Sequence, residues 1–360
     1  MINNILINNY NKLYNKINKK YKTYNIIILL DKNIYKLYIK YLILKIIKNL
    51  LYNYLYIIKI NNGEKYKNIY TCIKIFKKLK NKQINKKSIF INFGGGVISD
   101  LGGFISSIYK RGIIFYNIPT TLLSMIDASI GGKNAININN LKNELGIFNN
   151  AKLILIDEYY LLTLNKKQII SGISEIIKYG LIFNKKLFYI ICNNYKYNFN
   201  NKKWNKIIIK SILIKNIIIN NDFKEKNFRQ ILNFGHTIGH SIEIFFLNKK
   251  ISHGEAIAIG IIYESFISYK YNLIKKKKFL KIKQNILKIY NYLFYKILNN
   301  IKNNINNIIN IMYYDKKNIF FKKINFVLLN NIGICNYNNN INNNIIKYCL
   351  YYTIYEKNKY

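Results

Sequence analysis

Only three of the 360 residues are histidine, and all three lie between positions 236 and 253. The stretch LNFGHTIGH supplies His236 and His240, and SHGEAIAIG supplies His253. An i, i+4 pair puts His236 and His240 on one helical face. A single histidine is most often a satisfied core residue or a surface accident. Three gathered in so short a span of a histidine-poor chain point instead to metal ligation. A catalytic zinc takes three protein ligands and keeps an open position, and a mixed set of two imidazoles and a carboxylate meets that need. The candidate carboxylate is Glu175 in SGISEIIKYG, on an otherwise apolar helical stretch where a buried acid needs a partner.

The second constellation is GGGVISDLGG, residues 94–103. It follows a β-branched run and opens a helical pattern. In that setting glycines let backbone N–H groups approach a pyrophosphate, and the helix N-terminus favours the anion. A tight βα turn would need the same glycines. Ser99 stands where the ordinary dinucleotide fingerprint has its third glycine, and no acidic residue follows about 20 residues on.

Composition bears on both clusters. The formal net charge of +43 suggests nucleic-acid binding, yet nearly every cation is lysine and only Arg111 and Arg229 are arginine. Asn, Ile and Tyr crowd the chain, while Pro and Trp occur once each. AT-rich codons specify that palette, so the charge reads as a drifted, solvated lysine surface with no specific nucleic-acid function. In such a chain each remaining Arg, His or Pro marks a place where substitution fails physically, as at bidentate anion recognition or imidazole coordination. Cys72, Cys192, Cys335 and Cys349 are scattered without a C-x-x-C pair, which speaks against disulfides and suits a reducing cytoplasm. The N-terminal MINNILINNYNK lacks the apolar core of a signal peptide. The most apolar stretch, Leu37 to Ile60, is broken by Lys40, Lys45 and Lys48, so no membrane span is expected.

The elements that must position these residues can be read from periodicity. Ile26–Leu30, Ile89–Phe93, Ile113–Ile118 (ended by Pro119) and Ile154–Asp157 read as buried strands alternating with helical stretches, the pattern of a largely parallel α/β sheet. From about Ser171 the texture turns helical, as in Glu175–Phe183, Ile207–Ile219 and Ala256–Tyr271, with few strand signals. Length and texture predict two domains: α/β over 1–165, and mostly helical over 166–360. The Asn-rich segments 193–205 and 298–310 read as loops, and 336–344 as a linker into a tail.

Several blocks then occur in a telling order: GGGVISDLGGF-x5-KRG-x5-IPTTLLSMIDASIGGK, LIDEYYLLTL, SEIIKYGLI, RQILNFGHTIGH, HGEAIAIG and DKK. Together they resemble the 3-dehydroquinate synthase family, with gaps, from about Asp31 to Gly333. The resemblance implies an N-terminal Rossmann-like α/β domain, a C-terminal helical domain and an active site in the cleft between them. It implies a phosphorus–oxygen lyase of the shikimate route to chorismate and the aromatic amino acids. The substrate would be 3-deoxy-D-arabino-heptulosonate 7-phosphate, closed to 3-dehydroquinate with loss of phosphate. NAD would be the cofactor, with zinc, for which cobalt could substitute; the enzyme would be a cytoplasmic homodimer.

Matched position by position, the resemblance implies that Glu175, His236 and His253 bind the metal, which makes His240 a hydrogen-bonding partner. Gly95, Gly96, Val97, Asp100, Thr120, Thr121 and Thr163 would lie along NAD, with Asp31 and the Glu64/Lys67 pair at its adenosine half. Asp127, Lys133, Asn143, Lys178, Lys215, Arg229, Asn233 and His240 would surround the substrate, Arg111 would reach its phosphate, and Lys142 counts toward both cofactor and substrate. One lysine of DKK, Lys316 or Lys317, would join them. Asn62, Ser99, Ala128 and Asn134 depart from the family pattern, as does Asn139-Asn140-Leu141 before Lys142, and they suggest a less rigid NAD site. The rivals of the same fold are other sugar-phosphate cyclases and the glycerol-dehydrogenase-like enzymes, whose uncharged substrates need no such set of cations. A basic binding protein is the rival of a different class.

Overall fold

The apolar runs that end at Asp31, Gly94, Pro119 and Asp157 are almost unbroken, so strands built from them must be covered on both faces. The computed structural model, which describes residues 4–139, 141–195, 202–246, 251–313 and 324–352, meets that demand. The chain divides into two compact units, Met1–Leu164 and Asn165–Tyr360. In order, the first contains β1 (Ile5–Ile7), α1 (Tyr10–Tyr21), β2 (Asn25–Asp31), α2 (Lys32–Lys45), β3 (Leu55–Ile60), α3 (Ile69–Asn81), β4 (Ser88–Gly94), α4 (Gly96–Ile108), β5 (Ile114–Pro119), β6 (Lys133–Ile138), β7 (Leu141–Phe148) and β8 (Leu153–Ile156). Six of these strands form one sheet in the order β1-β8-β5-β4-β2-β3, and every pairing is parallel. β6 and β7 form a separate antiparallel hairpin.

The parallel order has a consequence for function. Asp31 pairs with Ile60 and Gly94 with Pro119, so β3, β2, β4 and β5 end side by side. The segments that leave this carboxyl edge carry Asp31, Glu64, Gly95 and Thr120. Open α/β sheets bind ligands at that edge.

The second unit contains α5 (Lys166–Ile182), α6 (Lys185–Asn194), α7 (Lys202–Asn221), α8 (His236–Phe245), α9 (His253–Lys270), α10 (Lys276–Asn303), α11 (Ile305–Tyr313), β9 (Ile324–Asn331), β10 (Ile334–Ile341) and α12 (Asn343–Tyr352). Every residue of α9 from Gly254 to Ser268 is buried. A helix hidden on all sides is a core element, and α5, α8, α10 and β9 pack around it. Ser252 and Glu255 close a reciprocal capping box at its start, which fixes where His253 begins the helix.

Two expectations fail. Residues 298–303 end α10 and 305–310 belong to α11, with Asn304 as the turn between them, because Ile297, Ile301, Ile308, Ile309 and Met312 place one buried face beneath the asparagines. Residues 336–344 are no linker: they complete β10, whose alternating exposure is that of a hairpin strand with one wet face, and start α12. The hairpin β9–β10 also puts a sheet where the sequence shows few strand signals. Of 193–205, residues 193–194 end α6 and 202–205 begin α7, while 196–201 lie outside the described residues. Among the described residues no helix is long and apolar enough to cross a membrane.

Candidate functional site

In the second unit the sequence must bring residues from α5, α8 and α9 to one point. Glycine makes the approach possible. A Cβ on Gly254 would stand 2.2 Å from the Ser171 carbonyl oxygen, so only glycine lets the start of α9 touch α5. A Cβ on Gly260 would stand 2.0 Å from the Gly235 carbonyl oxygen, and its absence seats α8 against α9. As a result Glu175, His236 and His253 converge. Glu175 Oε1 lies 3.4 Å from His236 Nε2 and 3.6 Å from His253 Nε2. Tetrahedral ligands at about 2.0–2.2 Å from zinc stand about 3.3–3.6 Å from one another, so these spacings are those of two edges of a zinc tetrahedron.

Glu175 is fully buried, and among the described residues neither of its oxygens accepts a hydrogen bond of sound geometry. Besides the imidazoles, the ammonium of Lys178, one helical turn on, pairs with Oε2. A buried carboxylate with one oxygen held by a cation and the other turned to two imidazoles is a donor set that fits a divalent metal. His240 stands close by: its ring centroid is 5.0 Å from that of His236 and 5.8 Å from that of His253. The three histidines offer ligand atoms all within 4.8 Å of one another, a looser grouping than the edges Glu175 makes. Burial pushes the His253 imidazole toward neutrality, but the Glu243 and Glu175 carboxylates outweigh it and lift the ring to about 10, so a metal must displace a proton there.

Lys215 is buried on α7. Arg229 is buried in a 3-10 turn spanning Phe228–Asn233 and donates from Nη1 to the Phe223 carbonyl at 2.5 Å. Asn233, at the end of that turn, donates to Glu225 Oε1 at 3.0 Å. DKK at 315–317 lies outside the described residues.

In the first unit the glycine cluster forms the turn from strand to helix. β4 ends at Gly94, Gly95 is the N-cap of α4, and the helix begins at Gly96 with no side-chain cap, so its first N–H groups stay available to an anion. Thr120 and Thr121 follow β5, and the Thr120 N–H donates to the Gly94 carbonyl at 3.0 Å. Lys67 is buried and donates to Asp100 Oδ2 and to Asn143 Oδ1, both at 2.5 Å. Glu64 Oε1 stands 4.0 Å from the same ammonium and accepts from Asn137 at 2.9 Å. Burial raises the Asp100 pKa, and the Lys67 charge pulls against that rise.

Asp31 Oδ1 caps α2 through the N–H groups of Asn33 and Ile34, each at 2.9 Å. Thr163 ends a 3-10 segment, Glu158–Thr163, where its hydroxyl meets the Tyr38 phenol. Asp127 lies in a π-helical turn, Ser124–Ala128, Lys133 opens β6, and Lys142 lies near the start of β7. Arg111 (φ 61°) and Asn143 (φ 57°) take left-handed backbone conformations, as does Glu225 (φ 59°). Non-glycine residues seldom do so outside turns and functional loops.

Residues 57–171 match the family described as 3-dehydroquinate synthase N-terminal, and residues 172–318 match 3-dehydroquinate synthase C-terminal. A 3-dehydroquinate synthase of Campylobacter jejuni (strain RM1221) is 38% identical over 284 residues, covering 78% of this chain and 79% of the relative. The chain belongs to the 3-dehydroquinate synthase family. Two solved structures share its fold. A 2-epi-5-epi-valiolone synthase from Streptomyces hygroscopicus subsp. jinggangensis 5008, with NAD+ and Zn2+ bound, aligns with TM-score 0.85 at 20% identity over 98% of this chain and 97% of its own. A 2-deoxy-scyllo-inosose synthase complexed with carbaglucose-6-phosphate, NAD+ and Co2+ aligns with TM-score 0.81 at 22% identity over 96% of each chain.

Within this 3-dehydroquinate synthase family member, three buried or strained acids went unread in the sequence. Glu243 meets His253, Glu225 meets Asn233, and Glu264 on α9 accepts the N–H groups of Gly235 and Ile238 at 2.6 and 3.1 Å, capping the start of α8 from a neighbouring helix. The signal that could have found them is scarcity. Asp and Glu number only 15 in the chain, so each acid carries a weight closer to that of a histidine.

Proposed function

We propose that this chain catalyses the conversion of 3-deoxy-D-arabino-heptulosonate 7-phosphate to 3-dehydroquinate and inorganic phosphate. The observation that carries the reading is the set of Glu175–imidazole spacings, at zinc-tetrahedron length, in a chain matched by the 3-dehydroquinate synthase family from residue 57 to 318. Glu175, His236 and His253 would hold zinc, or cobalt in its place. Gly95, Gly96, Val97, Asp100, Thr120, Thr121, Lys142 and Thr163 would hold NAD, with Asp31, Glu64 and Lys67 toward its adenosine half. When bound, the two groups supply a reversible alcohol oxidation that makes the neighbouring proton acidic enough for phosphate to leave.

The chain's own residues do the rest. Lys178 fixes the Glu175 carboxylate by holding Oε2. Arg229, immobilised by its bond to the Phe223 carbonyl, presents a planar fork suited to a carboxylate or phosphate. Lys133, Lys215 and Arg111 add cations for a substrate that carries both groups, and Asp127, Asn143, Asn233 and His240 add hydrogen-bonding partners. The cytoplasm and a homodimer complete the proposal.

The deciding assay separates a cyclase from a dehydrogenase. With zinc and substoichiometric NAD, phosphate should appear over many turnovers with no net rise in NADH absorbance. Stoichiometric NADH from glycerol or another uncharged polyol, with the heptulosonate phosphate inert, would refute the proposal.

A further inference from the structure

A histidine that binds metal through Nε2 must carry its ring proton on Nδ1, and something has to hold that proton there. For His236 the backbone does so: the Phe234 carbonyl oxygen lies 3.1 Å from Nδ1, and a carbonyl can only accept. His253 is the first residue of α9, and a side chain from α8 takes the corresponding place. Glu243 Oε2 lies 3.1 Å from His253 Nδ1.

We propose that Glu243 is a positioning residue of the metal site, holding His253 in the Nδ1–H tautomer with its Nε2 lone pair directed to the space shared by Glu175 Oε1 and His236 Nε2. The inference rests on the reading that Glu175, His236 and His253 bind zinc. Its own basis is separate. Glu243 is 6% exposed, so its carboxylate is held where water cannot substitute for it. It follows His236 by seven positions and His240 by three, which places all three side chains on one face of α8. The two ends of the His253 ring therefore face two different carboxylates, Glu243 at Nδ1 and Glu175 at Nε2. A carboxylate behind the ring also makes the ligating nitrogen a better donor. One helix thus supplies a ligand, His236, and the group that aims the ligand of the next helix.

The test uses the full chain. Zinc affinity is measured by competition with a chromophoric chelator for wild type, Glu243→Gln and Glu243→Leu. In parallel, spectra of ring-15N-labelled histidine are recorded on the zinc-loaded proteins. With three histidines in the chain, single His variants assign every ring nitrogen. Glu243→Leu should bind zinc about 10–100-fold more weakly and lose the hydrogen-bonded Nδ1–H signal of His253. Glu243→Gln, whose amide oxygen still accepts that proton, should fall between the two. Circular dichroism of the metal-free proteins reports folding. If the Leu variant does not fold, the Gln variant decides, and an unchanged affinity there overturns the proposal. Wild-type affinity in Glu243→Leu with the His253 Nδ1–H signal intact also overturns it. Failure of the wild type to bind zinc, or retention of zinc by Glu175→Gln, would instead refute the ligand assignment beneath it.

Discussion

The two halves of this molecule prepare for ligands in opposite ways. At the carboxyl edge of the parallel sheet the first unit offers mostly backbone: glycines, a bare helix N-terminus, and strand ends brought level by register. Around α8 and α9 the second unit offers side chains of scarce types, two imidazoles and a carboxylate at metal-ligand spacing. The departures from the family pattern respect this division. Asn62, Ser99, Ala128, Asn134 and the Asn139–Leu141 stretch all fall in the first unit. A backbone N–H is supplied by any residue but proline, so that surface tolerates compositional drift. An imidazole lone pair or a carboxylate oxygen has no substitute among Lys, Asn, Ile and Tyr at the same place.

The largest test of the contrast is in the second unit. Glu175→Gln keeps size and shape but removes the charge a divalent ion needs, so zinc should fall from about one per chain to near none. Turnover should drop at least about 1,000-fold with it, as the metal is asked to stabilise several kcal/mol of developing charge. His240→Ala should lose turnover yet keep the metal. Metal analysis of the purified variants checks both. Zinc lost from the His240 variant but kept in the Glu175 variant would show that the three histidines are the ligand set.

How much of this was legible in the sequence follows the same physics. β2, β4, β5 and β8 announced themselves because a strand buried on both faces has to be a continuous apolar run. β10 stayed hidden because its wet face is asparagine, which in this chain reports codon usage as much as loop structure. α10 and α11 were obscured for the same reason, although Ile297, Ile301 and Ile308 keep helical spacing. In the candidate site, His236, His240 and His253 stood out by rarity and spacing, whereas the pairing of Glu175 Oε1 with two imidazoles is a matter of tertiary packing. Pairwise partners such as Glu243 with His253 come from helix–helix packing, which no local pattern encodes.

A middle-sized effect is expected where the first unit does depend on a side chain. Lys67 is the cation that Asp100 and Asn143 share, and Lys67→Met leaves a partly buried Asp100 without it. Breaking such a pair should cost about 3 kcal/mol, read as a lowered denaturation midpoint, together with a raised KM for NAD. The pH dependence has a definite sign. Burial already raises the Asp100 pKa and Lys67 lowers it, so removing Lys67 raises it further. A carboxyl whose folded pKa exceeds its unfolded value of about 3.9 binds protons more readily when folded, so stability falls as pH rises between the two values. The deficit of the variant against wild type should therefore shrink on acidification. A deficit that grows toward low pH would mean that the pair is held by something other than the Lys67 charge.

The smallest effect should come from restoring a family residue at the glycine cluster. Ser99 stands on α4 where the fingerprint has glycine, and its presence suggested a loosened cofactor site. Yet its side chain is buried against its own helix and neighbour: Oγ lies 3.3 Å from the Gly95 carbonyl oxygen and 3.2 Å from Ser124 Oγ. The hydroxyl is thus satisfied inside the unit, and the start of α4 keeps its geometry without a glycine at this position. Ser99→Gly should then change KM for NAD by less than about twofold, while glycine in a helix interior lowers stability by roughly 0.5–1 kcal/mol. A severalfold gain in NAD affinity, measured by fluorescence titration on the folded protein, would show that the backbone-built half has been weakened by drift after all. An unchanged affinity with a slightly lower melting temperature would mean that the serine is tolerated because the ligand meets main chain at this edge of the sheet.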